Sequence, residues 1–165
     1  MKRSRINAAL KEMEVMIAEY RFALPPFCGF TPDEWRVKGH EYDEIRDNML
    51  GWDITDYGLG DFDRTGFSLI TLRNGNITKQ DAYPKTYAEK LLYLSTGQYS
   101  PMHFHFNKME DIINRGGGDI LIRVYNSTKD EDTDKINNVS VRLDGRLLTV
   151  PAGTQICLKP GESIS

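Results

Sequence analysis

From Gly66 onward the chain breaks into short apolar runs divided by turn residues, and this punctuation limits the available folds more than any other feature. The runs are Phe67–Arg73, Lys90–Ser95, Ile120–Tyr125, Val139–Leu143, Leu147–Val150 and Thr154–Leu158. Asn74-Gly75 and Asp144-Gly145 carry the strongest short-range signals for tight hairpins. Short strands separated by Gly, Pro, Asn-Gly and Asp-Gly predict a sandwich or barrel rather than βαβ units.

The N-terminal part reads differently. Ile6, Leu10, Met13, Ile17, Tyr20 and Leu24 recur at steps of four and three, which stacks them on one face of a helix over the first 24 residues. Pro25-Pro26 is expected to end that helix, because proline donates no backbone hydrogen bond. A second, short helix is predicted at Thr31-Pro32-Asp33-Glu34, with threonine as N-cap, proline where no donor is needed and acids at the positive end of the dipole. The stretch from Glu41 to Leu50 is expected to add a helical turn or two. The predicted organisation is one domain. Residues 1–65 form a helical arm and irregular segment packed on a β-barrel body of residues 66–165.

Composition narrows the functional classes. At 165 residues the chain is long enough to bury a core, with 39% hydrophobic and 27% charged residues and a net charge of −3. Nucleic-acid binding is disfavoured, since it rests on clustered Lys and Arg facing phosphates. Cys28 and Cys157 are too few and too far apart for a disulfide framework or zinc knuckle, and read as reduced residues of a cytoplasmic protein. No window approaches the roughly 18 apolar residues of a membrane helix.

Two of the three histidines stand at His103 and His105. On a β-strand, residues two apart point to the same face, so both imidazoles can converge on one point. Glu110 follows five residues later, where a bend would return its carboxylate to that point. Two neutral nitrogen donors and an anionic oxygen suit a divalent first-row transition metal. A His-x-His pair alone is weak evidence, because satisfied core histidines are commoner than ligands. Here, however, Gly97, His103, His105, Glu110 and Gly117 reproduce the spacing of the first motif of the cupin superfamily. That resemblance implies a mainly-β, jelly-roll-like cupin barrel with a metal at His103, His105 and Glu110.

A wider resemblance surrounds the motif. Glu89–Ile113 with Gly116-Gly-Gly118, Gly51-Trp-Asp-Ile-Thr-Asp-Tyr-Gly58 and Thr31-Pro-Asp-Glu-Trp35 together resemble the bacterial D-lyxose isomerase family. The resemblance implies a manganese-activated cupin homodimer that interconverts D-lyxose and D-xylulose, and often D-mannose and D-fructose. It carries an acid/base role onto Lys90. Read from the residues alone, Lys90 is an edge-strand lysine that discourages strand pairing. Lys108, between the ligands, either contacts substrate oxygens or faces solvent.

The family's metal has four protein ligands, and the third histidine here, His40, does not match the remaining position. The chain ends at Pro160-Gly-Glu-Ser-Ile-Ser165, which looks like the approach to a second cupin motif. On this reading the 165 residues are a fragment, expected to be inactive or nearly so by itself, because the fourth ligand and a second acid/base carboxylate lie beyond Ser165. Asp53, Asp56, Asp61 and Asp63 lack calcium-loop spacing and are expected to make turns. Arg115–Asp119 lacks P-loop residues and reads as a strand connection. Two rival functions share the ligand set, an iron dioxygenase of the cupin kind and a cupin that binds metal or sugar without turnover.

Overall fold

The computed structural model describes residues 1–165, which divide into two compact units, Met1–Pro101 and Met102–Ser165. Strands outweigh helices, consistent with a mainly-β, cupin-like fold. In neither unit do the strands close into a barrel, because the hydrogen-bonded sheets hold only two to four strands each and keep open edges.

In the first unit, α1 (Arg3–Glu19) buries Ala9, Met13 and Ile17, the middle of the predicted stripe. The helix stops five residues short of Leu24, and its geometry explains why. Arg21 turns left-handed at φ 52°, so that Phe22 N donates to Ile17 O and Arg21 N to Ala18 O. This is a Schellman closure, which satisfies the last carbonyls before the prolines are reached. Tyr20 therefore lies beyond the helix and is exposed.

The short helix α2 (Pro32–Arg36) begins as the sequence predicts, with a capping box. Glu34 N donates to Thr31 Oγ1, and Thr31 N donates to the Glu34 carboxylate. A single 3-10 turn, His40–Tyr42, leads into α3 (Asp43–Asp47).

Three antiparallel strands follow in the order β1 (Gly51–Thr55), β2 (Phe67–Arg73), β3 (Glu89–Tyr93). β1 falls before Gly66, where only irregular chain was expected. Asp53 lies within it rather than in a turn. Its neighbour Trp52 explains the strand. The ring packs into the cluster around Met13, Ile17, Ile70 and Leu72, and its Nε1 donates to Cys28 O at 2.8 Å. Asp56 does make a turn, accepting from Gly58 N at 2.9 Å.

The tight hairpin predicted at Asn74-Gly75 does not form. Residues 74–88 make a long connection to β3, because Asn74 is engaged by Asn48 instead. Each amide donates to the other residue's carbonyl, at 3.0 and 3.2 Å.

In the second unit, β4 (Ile112–Ile113), β11 (Ser163–Ile164), β8 (Val139–Leu143) and β9 (Arg146–Val150) form one sheet in that order. β5 (Ile120–Arg123) pairs with β10 (Gln155–Leu158), and β6 (Asn126–Ser127) with β7 (Thr133–Asp134). Val139, Val141, Ile156, Leu158 and Ile164 form the buried centre, the inward half of alternating strands. Here the predicted Asp144-Gly145 turn is present. Both residues have positive φ, 49° and 81°, the conformation of a two-residue type I′ hairpin loop.

Ile70 is wholly buried beneath α1. Ile70→Ala is expected to destabilise the protein by about 2–5 kcal/mol, through lost apolar burial and a residual cavity. Urea unfolding followed by circular dichroism measures it, and a loss well under 1 kcal/mol would contradict the packing described.

Candidate metal centre

His103, His105 and Glu110 belong to the second unit, in a stretch without strand pairing, residues 102–111. The expected ladder is absent because no neighbouring strand offers this backbone its hydrogen bonds. The alternation of an extended chain nevertheless survives. The His103 and His105 rings meet edge to face at 5.1 Å, while Phe104 and Phe106 pair in the same manner at 4.8 Å. Imidazoles thus gather on one side of the chain and phenyl rings on the other.

Glu110 returns to the imidazoles as the sequence spacing requires. One ligand atom from each of His103, His105 and Glu110 lies within 4.8 Å of the other two. Glu110 Oε2 is 3.4 Å from His105 Nε2, and Lys108 Nζ donates to Glu110 Oε1 at 2.9 Å. All three candidate ligands are exposed. Burial pushes the Glu110 carboxyl up, but the Lys108 hydrogen bond and charge, aided by His105, outweigh it and hold Glu110 below the ordinary carboxylate range. The donor set is two imidazoles and one carboxylate at convergent positions, which fits a divalent transition ion.

The far end of this stretch is firmly anchored. Two residues after Glu110, β4 pairs with β11, and Asn114 comes next, fully buried. The Asn114 amide donates to Gly118 O and Leu158 O, both at 2.8 Å, and its Oδ1 accepts from Gly116 N at 3.0 Å. Its backbone bonds Glu162 O and Gly161 N. This asparagine, placed before the glycine run, fixes the exit of the candidate site and was not singled out in the sequence. A buried residue that satisfies two carbonyls and an amide at once is hard to recognise without the fold.

Lys90 lies in the first unit, on the edge strand β3. Leu91 and Tyr93 point into the cluster under α1, so Lys90 stands on the opposite face, where it is exposed. It pairs with Thr71, and the register slips between Thr71 and Arg73, directly beside it. Such bulges re-aim a side chain and are over-represented next to active sites. Lys108, for which two orientations were open, is turned toward Glu110. His40 pairs with Asp43 at 2.8 Å on a fully exposed turn. An apolar cleft of about 430 Å³ lies between α1 and the 25–29 turn, lined by Ile17, Leu24, Pro25 and Trp52 among others. It contains none of the residues in the triad.

Comparison with known proteins gives the class of the molecule. The family described as D-lyxose isomerase matches residues 1–165. The chain is 41% identical over 165 residues to a D-lyxose/D-mannose isomerase of Escherichia coli O157:H7, covering 99% of this chain and 72% of that protein. It is 42% identical over 166 residues to a D-lyxose/D-mannose isomerase of Serratia proteamaculans, again covering 99% of this chain and 72% of the relative. The protein is a sugar isomerase, and it belongs to the D-lyxose isomerase family. No helix is long and apolar enough to cross a membrane.

The balance of forces on Glu110 gives a direct test. In metal-free protein, Lys108→Met is expected to move the Glu110 carboxyl titration to higher pH, because burial then acts with less opposition. Carbon-13 NMR of the labelled carboxylate reads the shift. An unchanged titration would mean that Lys108 does not hold Glu110 in solution.

Proposed function

We propose that this isomerase interconverts D-lyxose with D-xylulose, and D-mannose with D-fructose, with a divalent metal, manganese first, held by His103, His105 and Glu110. The observation that carries the reading is the convergence of those three donors within 4.8 Å. The names of the two curated relatives support the substrate pair. The reading includes a homodimer, expected from the family resemblance and from the apolar face of the N-terminal helix. Met13 and Ile17 of that face pack on Ile70 and Leu72 within the first unit, so the resemblance is what supports it.

Aldose–ketose isomerisation moves a proton between adjacent carbons while the carbonyl and the neighbouring hydroxyl exchange roles. A bound divalent ion supplies Lewis-acid polarisation of the sugar oxygens and a counter-charge for the enediolate. His103 and His105 contribute neutral donors that leave the centre's positive charge largely intact. Glu110 contributes one anionic oxygen toward His105, while Lys108 keeps the other occupied.

In this mechanism Lys90 takes up or returns the proton at C2 of the aldose. The family resemblance carries that role onto it, and the register slip beside it, a feature over-represented next to active sites, supports the reading. Lys108 holds Glu110 in position and presents its ammonium to the sugar's oxygens. An iron dioxygenase would need the same ligands, but neither relative carries such a name.

The test is ketose formation from D-lyxose and from D-mannose by the full-length protein, with chelator and with added manganese. Activity is expected to vanish with chelator and return with manganese. Lys90→Met is expected to lower turnover by about 10²–10⁴-fold, the usual contribution of a general acid–base group, with metal content unchanged. Full turnover in Lys90→Met would remove the lysine from the mechanism, and chelator-resistant activity would remove the metal.

A further inference from the structure

Residues 74–88, which join β2 to β3, are tied to α3 and its C-cap by side chains. Asn48, only 1% exposed, exchanges hydrogen bonds with Asn74 and accepts from Asn76 Nδ2 at 2.9 Å. Asp47 Oδ2 receives both Lys79 Nζ at 2.7 Å and Tyr83 OH at 2.8 Å. Glu44 receives Lys85 Nζ, whose side chain is 22% exposed. Both arms of the connection are held in this way, the outgoing arm through Asn74, Asn76 and Lys79 and the returning arm through Tyr83 and Lys85.

The returning arm also passes tightly over the outgoing one. A Cβ at Gly75 would lie 2.4 Å from Lys85 O, so only glycine admits the crossing. Hydrogen bonds from Lys79 and Tyr83 hold Asp47 below the ordinary carboxylate range, and the same contact pushes Tyr83 up to about 12.

This fastening lies immediately upstream of Lys90. Five residues after Lys85 the chain reaches that lysine, and the register slip between Thr71 and Arg73 lies between the two. With the connection loose, Glu89 and Lys90 would be free to pair one residue out of register, and a slip of one turns a strand side chain to the opposite face.

We propose that Glu44, Asp47 and Asn48 are positioning residues, which clamp the 74–88 connection so that the irregular register, and with it Lys90, keeps one orientation. The catalytic part of this proposal rests on the reading of Lys90 as the acid/base group. The clamp itself does not. Glu44, Asp47 and Asn48 contact no reacting atoms; they act through the backbone that leads into β3.

The experiment pairs hydrogen exchange with kinetics. Glu44→Gln/Asp47→Asn is expected to speed amide exchange across residues 77–90 by roughly fivefold to tenfold, the scale of two exposed ion pairs lost together. It is also expected to lower kcat while leaving KM for the aldose unchanged. Glu44→Lys is expected to act in the same direction, and the exchanged pair Glu44→Lys/Lys85→Glu to restore both slow exchange and kcat, which separates the clamp from general loss of fold. Unchanged exchange in Glu44→Gln/Asp47→Asn would overturn the clamp. Faster exchange with unchanged kcat would overturn the positioning role. Full turnover in Lys90→Met would overturn that role by a separate route, through the reading it rests on, while the exchange result would still decide the clamp.

Discussion

The Glu110 carboxylate sits between an imidazole and an ammonium, and the geometry of the candidate site depends on that sharing. One oxygen lies 3.4 Å from His105 Nε2 and the other accepts from Lys108 at 2.9 Å. A carboxylate held in this manner presents a single oxygen toward the histidines. The backbone around it makes no ladder, so these side-chain contacts, the two ring pairs and the anchored exit at Asn114 must define the site together. Losing a side chain that orients a metal ligand typically costs about 10–100-fold in metal affinity or activity. Around Glu110, the proposed ligand, contacts of this kind come from Lys108 beside the carboxylate and from a buried asparagine four residues beyond it.

Much of this was legible from the residues, and the reasons differ from element to element. The spacing of His103, His105 and Glu110 survives because a two-residue alternation depends only on an extended backbone, with or without a partner strand. The α2 cap was readable because all of its hydrogen bonds lie within four residues. The Asp144-Gly145 hairpin was readable for the same local reason.

Most of what the sequence did not show depends on long-range partners. β1 carries Asp53 between glycines and looks like loop, yet Trp52 and Ile54 face inward once β2 lies alongside. Asn74-Gly75 has a strong turn signal that loses to a buried asparagine 26 residues earlier. The helix α1 ends early because Arg21 adopts a left-handed conformation usually reserved for glycine. The first two cases are local preference overridden by a contact that no short window contains, whereas the third is a local closure, with hydrogen bonds confined to residues 17–22, at a residue type that rarely adopts the conformation.

His103, His105 and Glu110 are proposed to form one divalent-metal site, and the rest of the chemistry stands on that assignment. Pulsed electron paramagnetic resonance of manganese added to the metal-free protein examines it at the ligands themselves, since imidazole nitrogens bound to Mn(II) give resolved couplings. Coupling to nitrogen from two histidines is expected, reduced to one in His103→Ala and lost in His103→Ala/His105→Ala. A spectrum of hydrated manganese without nitrogen coupling, or the same coupling in the double variant, would contradict the assignment.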